Sequence, residues 1–458
     1  MKVIVIGNGK VGKSLVEQLF EEGHDVTVID KKLDRLESLN NTSDVLCLQG
    51  DGINIDTLLE AGVETSDFVI STTSSDELNI VSGLLAKSRG AKHTVARIRS
   101  KEYSDQAKFI KQDLSIDYVI NPELQTAKDI ANQFRFVGDF KVESISARGL
   151  VDIISFKLEK SFSFVGLSLS QINSTYGIQM LVCSVQRKDE VIIPSGDFVL
   201  LEGDIIYIMA SYKEINKIIR LFDIKDKRVD SVFIVGASKL SYYLAKELLK
   251  MNLSIKIMDN NIEACESMAE QLPEATIIHG DAGNQLTLEE EGAFNSGAFI
   301  SLTGNDEMNI ILSLYAKAKR TKKVITKVNQ LGFTELVKTL GLNNIFAPRE
   351  VITNHIISYF RSIERGKEGS AISVHRLVSN QVEAVEYLVD DNFKYINTAL
   401  KDINLQKDIL IAGVVRENEF IRANGNTKLI KNDIVIILSL KRRITELEDI
   451  IKWTKKWY

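Results

Sequence analysis

The residues Val3-Ile-Val-Ile-Gly-Asn-Gly-Lys-Val-Gly12 join an apolar run to a glycine-rich turn. Val11, Leu15 and Leu19 then recur at the spacing of one helix face, so the turn connects a buried strand to a helix. A Gly-x-Gly-x-x-Gly turn in that position is typical of the first β–α unit of a Rossmann fold. The stretch therefore predicts an α/β fold built on a parallel sheet.

Each glycine of this turn has a separate task. Gly7 permits the tight bend, Gly9 lets the backbone approach a pyrophosphate, and Gly12 lets the helix pack closely on the sheet. Free N–H groups and the positive end of the helix dipole then face the phosphates. Asp30 follows Gly12 by 18 residues, where an acid accepts hydrogen bonds from an adenosine ribose and repels a 2′-phosphate. We therefore expect NAD(H) or an adenine nucleotide such as ATP or ADP rather than NADP(H).

The same turn also fits a second motif. Residues 7–14 match Gly-x-x-x-x-Gly-Lys-Ser, the phosphate loop of NTPases. Val11 already belongs to the apolar helix face, which predicts a helix that begins before Gly12 rather than at Lys13. Because the residues match this motif, a P-loop ATPase remains an alternative to a dinucleotide-binding protein.

Segments of the first half of the chain return 229 or 230 residues later, and half of 458 residues is 229. This offset is too long for a solenoid repeat, so each copy should hold whole domains. The chain is therefore a tandem duplication. The matching pairs are Val3–Gly7 with Val232–Gly236, Val28–Asp30 with Ile257–Asp259, Gln49–Asp51 with His279–Asp281, Ser75–Asn79 with Asn305–Asn309, and Gly203-Asp204 with Asn432-Asp433.

Each copy begins with buried apolar runs that alternate with helical periods, which predicts a parallel sheet covered on both faces. A helix that starts at Pro122 or Pro348 then leads to a smaller region of strand, polar turn and strand, which predicts a small α+β domain. The predicted strands are 3–6, 26–29, 45–48, 68–71 and 94–98, with 178–186, 191–193 and 205–209 in the small domain and 409–415 and 434–438 in its second copy. The predicted connecting helices are 122–136 and 348–361. The predicted domains are 1–122, 140–225, 230–348 and 370–453.

Polar residues stand where the strands of the first sheet end. Asp51 follows the third strand and residues 72–75 follow the fourth, at the edge where ligands of parallel sheets bind. Arg97 is a charge within the apolar run of the fifth strand. Arg97 has two interpretations. In the structural one, its guanidinium lies in solvent at the end of the strand. In the functional one, which we favour, it binds a phosphate or carboxylate.

The second copy departs from the glycine pattern. Ser238 and Ser241 stand at its second and third glycine positions, and a Cβ at Ser238 would crowd a pyrophosphate. Lys327 replaces Arg97, although Asp259 remains. We expect this copy to bind weakly, to keep an adenosine pocket, or to be structural.

Composition excludes several classes. The chain has 57 Lys and Arg against 62 Asp and Glu, so its net charge of −5 gives no sign of nucleic-acid binding. Its three cysteines are far apart and its five histidines show no metal spacing, which predicts a reduced, cytoplasmic protein without a metal site. The apolar runs are too short to span a bilayer. The basic residues 441–443 and 452–457 predict a capping helix rather than a membrane anchor.

A catalytic acid or base for hydride transfer is not evident in the small domains. His375 is their one histidine, and it has no counterpart in the first copy. A nicotinamide-dependent oxidoreductase is therefore an alternative that lacks its catalytic residue, and a binding module that reports nucleotide state fits better.

The duplicated units resemble the RCK (KTN) domain, and their tandem order over all 458 residues resembles the TrkA family, the cytoplasmic regulatory subunits of Trk potassium uptake systems. The residues that carry this resemblance are Val3–Gly12, Asp30, Gly50–Gly52, Thr73–Glu77 and Ala96–Tyr103.

This resemblance implies a protein that is not an enzyme and binds NAD(H) or ATP/ADP. It further implies a ring of eight RCK units, hence a homotetramer, which lies peripherally on the inner face of the cell membrane under a membrane-embedded potassium-transporting subunit similar to TrkH or TrkG. Cyclic di-AMP stays open as a ligand of the small domains. The predicted nucleotide-binding residues are Gly7, Asn8, Gly9, Lys10, Val11, Gly12, Asp30, Asp51, Thr73, Ser74 and Arg97, with Gly236 and Asp259 in the second copy.

Overall fold

The computed structural model describes residues 1–40, 44–136, 140–144, 150–177, 180–188, 190–221, 229–330, 337, 339–342, 344–368, 371–378, 381–440, 444 and 446–452. The ends of several predicted segments lie outside these residues, namely 178–179 of a small-domain strand and most of the predicted capping helix, 441–443 and 453–457.

The described strands fall into four sheets. Those of the first half are β1 Lys2–Ile6, β2 Asp25–Asp30, β3 Leu46–Gln49, β4 Phe68–Ser71, β5 His93–Arg97, β6 Tyr118–Ile120, β7 Lys141–Ser144, β8 Asp152–Lys157, β9 Leu181–Arg187, β10 Glu190–Ile192 and β11 Ile205–Ala210. Those of the second half are β12 Ser231–Val235, β13 Ser254–Asp259, β14 Thr276–His279, β15 Ala298–Ser301, β16 Lys323–Lys327, β17 Ile345–Phe346, β18 Ala371–Leu377, β19 Val382–Leu388, β20 Ile409–Arg416, β21 Glu419–Arg422 and β22 Ile434–Leu440.

The described helices lie mainly between the strands of the two larger sheets. They are α1 Lys10–Glu21, α2 Leu33–Asn40, α3 Ile55–Glu60, α4 Asp76–Ser88, α5 Lys101–Asp105, α6 Ala107–Gln112, α7 Pro122–Asn132, α8 Leu169–Tyr176, α9 Tyr212–Leu221, α10 Lys239–Leu249, α11 Ile262–Gln271, α12 Gln285–Glu290, α13 Asp306–Ala318 and α14 Pro348–Glu368. Short 3₁₀ helices cover Val63–Thr65, Ala293–Asn295, Leu400–Asp402 and Leu447–Ile450.

The first sheet has the order β3-β2-β1-β4-β5-β6, and every pair in it is parallel. The second larger sheet repeats this order as β14-β13-β12-β15-β16-β17, again parallel throughout. This is the strand order of a Rossmann fold, so the predicted tandem of parallel-sheet domains is confirmed. The short sixth strands, β6 and β17, extend each sheet beyond the prediction.

The two smaller sheets are antiparallel, in the orders β10-β9-β11-β8-β7 and β18-β19-β22-β20-β21. Arg187 holds the turn before β11 through Asp204, with Nε and Nη2 2.8 Å and 2.7 Å from the two carboxylate oxygens. Arg416 and Asp433 repeat this pair at 2.8 Å in the second copy. The repeated Asp positions of the sequence thus have a structural role in both small domains.

Like domains group together. Contacts divide the chain into a unit of Met1–Ala131 with Asp230–Ile357 and a unit of Asn132–Val229 with Ser358–Tyr458. Within the second unit the small sheets share an apolar core, in which Ile153 and Cys183 of one sheet pack with Ile436 and Leu438 of the other. Burial of one face of each sheet against the other explains why both faces of these strands are apolar.

The two Rossmann domains of the first unit contact each other through polar and aromatic side chains. Asn121 Nδ2 donates a hydrogen bond of 3.3 Å to the Tyr243 hydroxyl. The ammonium group of Lys101 lies 5.2 Å from the centre of the Tyr242 ring. Residues of the second domain can therefore reach the sheet edge of the first.

The two connecting helices differ from their predicted lengths. Helix α7 ends at Asn132 rather than at residue 136. Gln133, the next residue, is buried and hydrogen-bonds to both backbone groups of Val142, at 2.7 Å and 2.8 Å. Helix α14 runs beyond residue 361 to Glu368, since no proline interrupts it.

Candidate functional site

The glycine turn after β1 has the geometry that its sequence requires. Gly7 has φ +95°, and a Cβ there would lie 2.9 Å from the Thr73 nitrogen. A Cβ on Gly12 would collide with the Gly7 carbonyl oxygen. At Gly9, by contrast, a Cβ would meet no atom within 4 Å. Gly7 and Gly12 are thus fixed by packing, while the space over Gly9 is open.

The N-terminus of α1 has no side-chain cap. The helix begins at Lys10, before Gly12 as predicted, and its N-cap residue is Gly9. In the second copy Ser238 caps α10, because its hydroxyl accepts a hydrogen bond from the Ser241 nitrogen. The Ser241 hydroxyl in turn donates to the Gly236 carbonyl. Ser238 therefore caps a backbone N–H, whereas the equivalent turn of the first copy has no side-chain cap. The contact to the Gly236 carbonyl has a counterpart in the first copy, where the Thr72 hydroxyl donates to the Gly7 carbonyl at 3.0 Å.

Asp30, at the end of β2, is buried and already holds the turn in place. Its carboxylate accepts hydrogen bonds from the backbone nitrogens of Asn8 at 2.6 Å and Lys32 at 2.8 Å, and Arg35 Nη1 lies 3.5 Å away. The side-chain amide of Asn8 donates to the Arg35 carbonyl at 2.9 Å. Asp30 therefore has a structural role that its place in the fingerprint did not reveal.

Asp259 makes the same contacts in the second copy. It accepts hydrogen bonds from the backbone nitrogens of Ala237 at 2.6 Å and Asn261 at 2.8 Å. This structural role is sufficient to explain why the second copy has an aspartate at this position although serines replace two glycines of its turn.

Arg97 is anchored at the end of β5. Its Nη2 donates to the Thr73 carbonyl at 2.9 Å, and Asn79 Nδ2 donates to the Arg97 carbonyl at 2.8 Å. Burial lowers the pKa of the Arg97 guanidinium, and the neighbouring Arg99 lowers it further. The Nε of Arg97 is buried and has no hydrogen-bond partner. A buried donor without a partner is costly, so this nitrogen favours an incoming acceptor.

A cavity of about 640 Å³ lies over the carboxyl ends of the first sheet's strands. That volume is within the usual range for small-molecule sites. Nine of the predicted residues line it, namely Gly7, Gly9, Lys10, Val11, Asp30, Asp51, Thr73, Ser74 and Arg97.

The four other predicted residues lie elsewhere. Asn8 and Gly12 belong to the glycine turn without lining the cavity, whereas Gly236 and Asp259 occupy the corresponding turn of the second sheet. The prediction missed further lining residues, and several of these are charged. They include Lys31, Lys32, Arg35 and Arg99 of the first Rossmann domain and Glu123 of α7, with Asn329 of the second Rossmann domain and Pro348, Arg349 and Ile352 of α14.

Some of the missed residues carried a sequence signal and others did not. Arg99 follows Arg97 at the end of the same strand, where ligand contacts are expected. Asn329 and Arg349 are more than 200 residues from the glycine turn, so only the packing of the two Rossmann domains brings them to the cavity.

The corresponding position in the second copy is occupied by a half-buried lysine. Lys327 Nζ donates to the Leu302 carbonyl at 3.2 Å. Burial lowers the pKa of Lys327, while the carboxylates of Asp306 and then Glu123 act to raise it. Glu123 lies in α7, directly after the first sheet, so the ligand edges of the two sheets approach each other at this residue.

Among the described residues, no group of histidine, cysteine, aspartate and glutamate side chains could hold a metal ion. Among the described helices, none combines the length and the apolar character that crossing a membrane requires.

Two parallel sheets in Rossmann order, each followed along the chain by a small antiparallel domain, define the class of tandem RCK-type proteins. The TrkA-N domain family matches residues 3–122 and 232–348, and the TrkA-C domain family matches residues 153–223 and 384–452. The chain belongs to the TrkA family.

Full-length relatives carry the same name. The chain is 29% identical over 452 residues to the Trk system potassium uptake protein TrkA homolog of Archaeoglobus fulgidus. This alignment covers 99% of this chain and 100% of the relative. It is also 29% identical to the Trk system potassium uptake protein TrkA of Halomonas elongata, with 98% of each chain covered. The solved GsuK channel bound to NAD shares the fold with a TM-score of 0.63 at 14% identity, over 96% of this chain and 77% of that one.

Proposed function

We propose that this chain is a nucleotide-binding regulatory subunit of a Trk-type potassium uptake system, in which NAD(H) or ATP/ADP at the first Rossmann domain controls a potassium-transporting membrane protein similar to TrkH or TrkG. The observation that carries the proposal is the open cavity over Gly9. It combines an uncapped helix N-terminus, cationic side chains and an acidic residue at the end of β2.

Each part of the cavity suits a part of an adenine nucleotide. The backbone N–H groups at the start of α1 suit a pyrophosphate, because the helix dipole adds positive potential there. Asp30 retains acceptor capacity beyond its two backbone hydrogen bonds, so it can also accept from a ribose hydroxyl. Lys31 is paired with Asp51 at 2.8 Å, which reduces its use for a 2′-phosphate and favours NAD(H), ATP or ADP over NADP(H).

The regulatory assignment rests on kinship and on domain content. Trk system relatives match the chain over nearly its full length, and the GsuK channel with the same fold was solved with NAD bound. Four chains would supply eight RCK units, so we propose a homotetrameric ring on the inner face of the cell membrane. We keep 1–122, 140–225, 230–348 and 370–453 as its proposed domains.

We further propose that the chain is not an enzyme. Cations and carboxylates line the cavity, and none of the described residues that line it is a histidine or cysteine able to act as a base or nucleophile. A helix that begins at Lys10 supports the dinucleotide-type turn over the P-loop alternative, which places the helix start at Lys13.

We expect the two Rossmann domains to bind nucleotide unequally. Isothermal titration of the full chain with NADH, NAD, ATP and ADP should give one tight class of site per chain, with any second class at least about tenfold weaker. The reason is that the Ser238 cap occupies one backbone N–H at the start of α10, that of Ser241, and one lost hydrogen bond to a charged group costs about 1.5–3 kcal/mol.

The matched variant for this titration is Ser238→Gly, which frees the start of α10 and should strengthen the weaker class. Two equivalent sites in the unmodified chain would contradict the expected inequality. Absence of binding by every nucleotide would contradict the proposed function itself.

A further inference from the structure

The two connecting helices contact each other at equivalent positions. Asp129 is the eighth residue of α7, which begins at Pro122, and His355 is the eighth residue of α14, which begins at Pro348. His355 Nε2 lies 3.5 Å from Asp129 Oδ2, and the two side chains are 35% and 31% exposed. A contact between equivalent positions lies on an approximate twofold axis that relates the two copies.

Duplication has made this pair unlike. In a pairing of identical domains, a residue on the axis contacts its own copy. Two first copies would bring Asp129 against Asp129, and two second copies would bring His355 against His355. Two carboxylates repel each other, whereas an imidazole can donate a hydrogen bond to a carboxylate and, when protonated, attracts it. The Gln125 amide donates to the other oxygen of Asp129 at 3.1 Å, which fixes the orientation of this carboxylate.

A buried hydrogen bond between the two domains also depends on unlike residues. Asn121 Nδ2 donates to the Tyr243 hydroxyl at 3.3 Å, and both side chains are buried. The equivalent residues of the other copy are Ala347 and Ser14. Two second copies would place Tyr243 opposite Ala347, whose side chain cannot form a hydrogen bond, and two first copies would place Asn121 opposite the shorter Ser14. Either pairing would lose a buried hydrogen bond, which is costly.

Charges at the sheet edges favour the unlike pairing as well. Burial lowers the pKa of Arg97 and that of Lys327, and the Glu123 carboxylate acts to raise both. Glu123 therefore stabilises the cation of its own sheet and that of the other sheet. The equivalent of Glu123 is Arg349, since each is the second residue of its connecting helix. Two second copies would thus bring an arginine to each Lys327 in place of this carboxylate.

We propose that this interface is selective for the unlike copy, so that the first Rossmann domain of a chain pairs with the second of the same chain and not with the first of another chain. Asp129 and His355 are its specificity-determining pair on the axis. All these contacts join the two Rossmann domains of one unit, and a pairing of like copies would lose or reverse each of them. The selectivity requires no nucleotide and does not depend on the proposed function.

The test recreates a like contact in the full chain. His355→Asp brings two carboxylates together on the axis, as two first copies would. We expect amide hydrogen exchange of residues 122–132, followed by mass spectrometry at low salt, to become about threefold to fivefold faster, since a part-exposed charge pair is weak and is screened by salt. Asp129→Lys combined with His355→Asp restores an ion pair of reversed polarity and should return exchange to within about twofold of the unmodified chain.

Asn354→Asp is the matched control, because it adds a negative charge at an exposed neighbouring position of α14. It should leave exchange of residues 122–132 unchanged. Equal exchange rates in Asn354→Asp and His355→Asp would overturn the proposal, since the charges on the axis would then not decide the pairing. Faster exchange of β20 and β22 in His355→Asp would also overturn it, because the substitution would then loosen the fold and not the pairing.

Co-expression separates pairing within a chain from pairing between chains. Chains with His355→Asp alone and chains with Asp129→Lys alone could restore each other's ion pairs only by pairing between chains. The two kinds of chain give peptides of different mass at position 129, so each can be followed separately. We expect the peptide that retains Asp129 to exchange as fast in the mixture as in His355→Asp alone. Slow exchange of this peptide in the mixture would show pairing between chains and would overturn the proposal.

Discussion

Gly9→Val is expected to lower nucleotide affinity by about 100-fold or more while leaving the fold intact. The backbone at Gly9, with φ −74° and ψ −170°, is extended and accessible to valine. The new side chain would meet no protein atom within 4 Å at its Cβ, so it would stand in the open space over the start of α1. A pyrophosphate could then no longer reach the N–H groups, and the loss of two charge-assisted hydrogen bonds accounts for about 3 kcal/mol or more.

Gly304→Val is the matched control for this substitution. Gly304 follows β15 at the edge of the second sheet, and a Cβ there also meets no atom within 4 Å. Titration with ATP and NADH should show loss of the tight site in Gly9→Val and its retention in Gly304→Val, at equal melting temperatures. Tight binding that survives Gly9→Val would remove the glycine turn from the site.

Asp204→Ala is expected to destabilise the first small domain by about 1.5–3 kcal/mol, the usual cost of losing hydrogen bonds to a charged group, because the Arg187 side chain is 32% exposed and water can solvate it. The Asp204 carboxylate is buried, binds Arg187 through both oxygens, and also accepts a hydrogen bond of 2.9 Å from the Leu201 nitrogen. Alanine would leave these donors without an acceptor. Native-state hydrogen exchange of the β9 and β11 amides measures the loss as a fall in their opening free energy.

Asp433→Ala should have a similar effect on β20 and β22, since Arg416 and the Ile430 nitrogen bind Asp433 in the same way. The control is Asp197→Ala, at an exposed position, with an expected change within about 0.5 kcal/mol. Protection of β9 and β11 that stays unchanged in Asp204→Ala would show that the pair does not hold the turn.

Local sequence patterns were sufficient to predict the parallel sheets. The runs at 3–6 and 68–71 are strands as expected, because residues such as Val5 and Ile70 are fully buried in a sheet covered on both faces. The short β6 and β17 were missed, since strands of three and two residues have too few positions to show a period.

The candidate site was predictable where its residues follow strand ends and not where it depends on domain packing. Gly9, Asp30 and Arg97 each carry a local signal, and all three line the cavity. Arg349 carries none, because its place at the cavity follows from contacts between two domains that are separated in sequence by a small domain. Asp30 shows the opposite case, in which a motif residue also has a structural role that only its hydrogen bonds to Asn8 and Lys32 reveal.

Potassium flux through a reconstituted membrane subunit is the most direct test of nucleotide-controlled regulation. We expect the full chain to form a tetramer and, with ATP, to raise the open probability of a TrkH-like subunit in liposomes, and we expect Gly9→Val to abolish the nucleotide dependence. Gly304→Val should behave as the unmodified chain. The account would be contradicted if the chain stayed monomeric, left potassium flux unchanged with every nucleotide, and instead oxidised NADH with a small substrate. That result would indicate that the protein is an oxidoreductase.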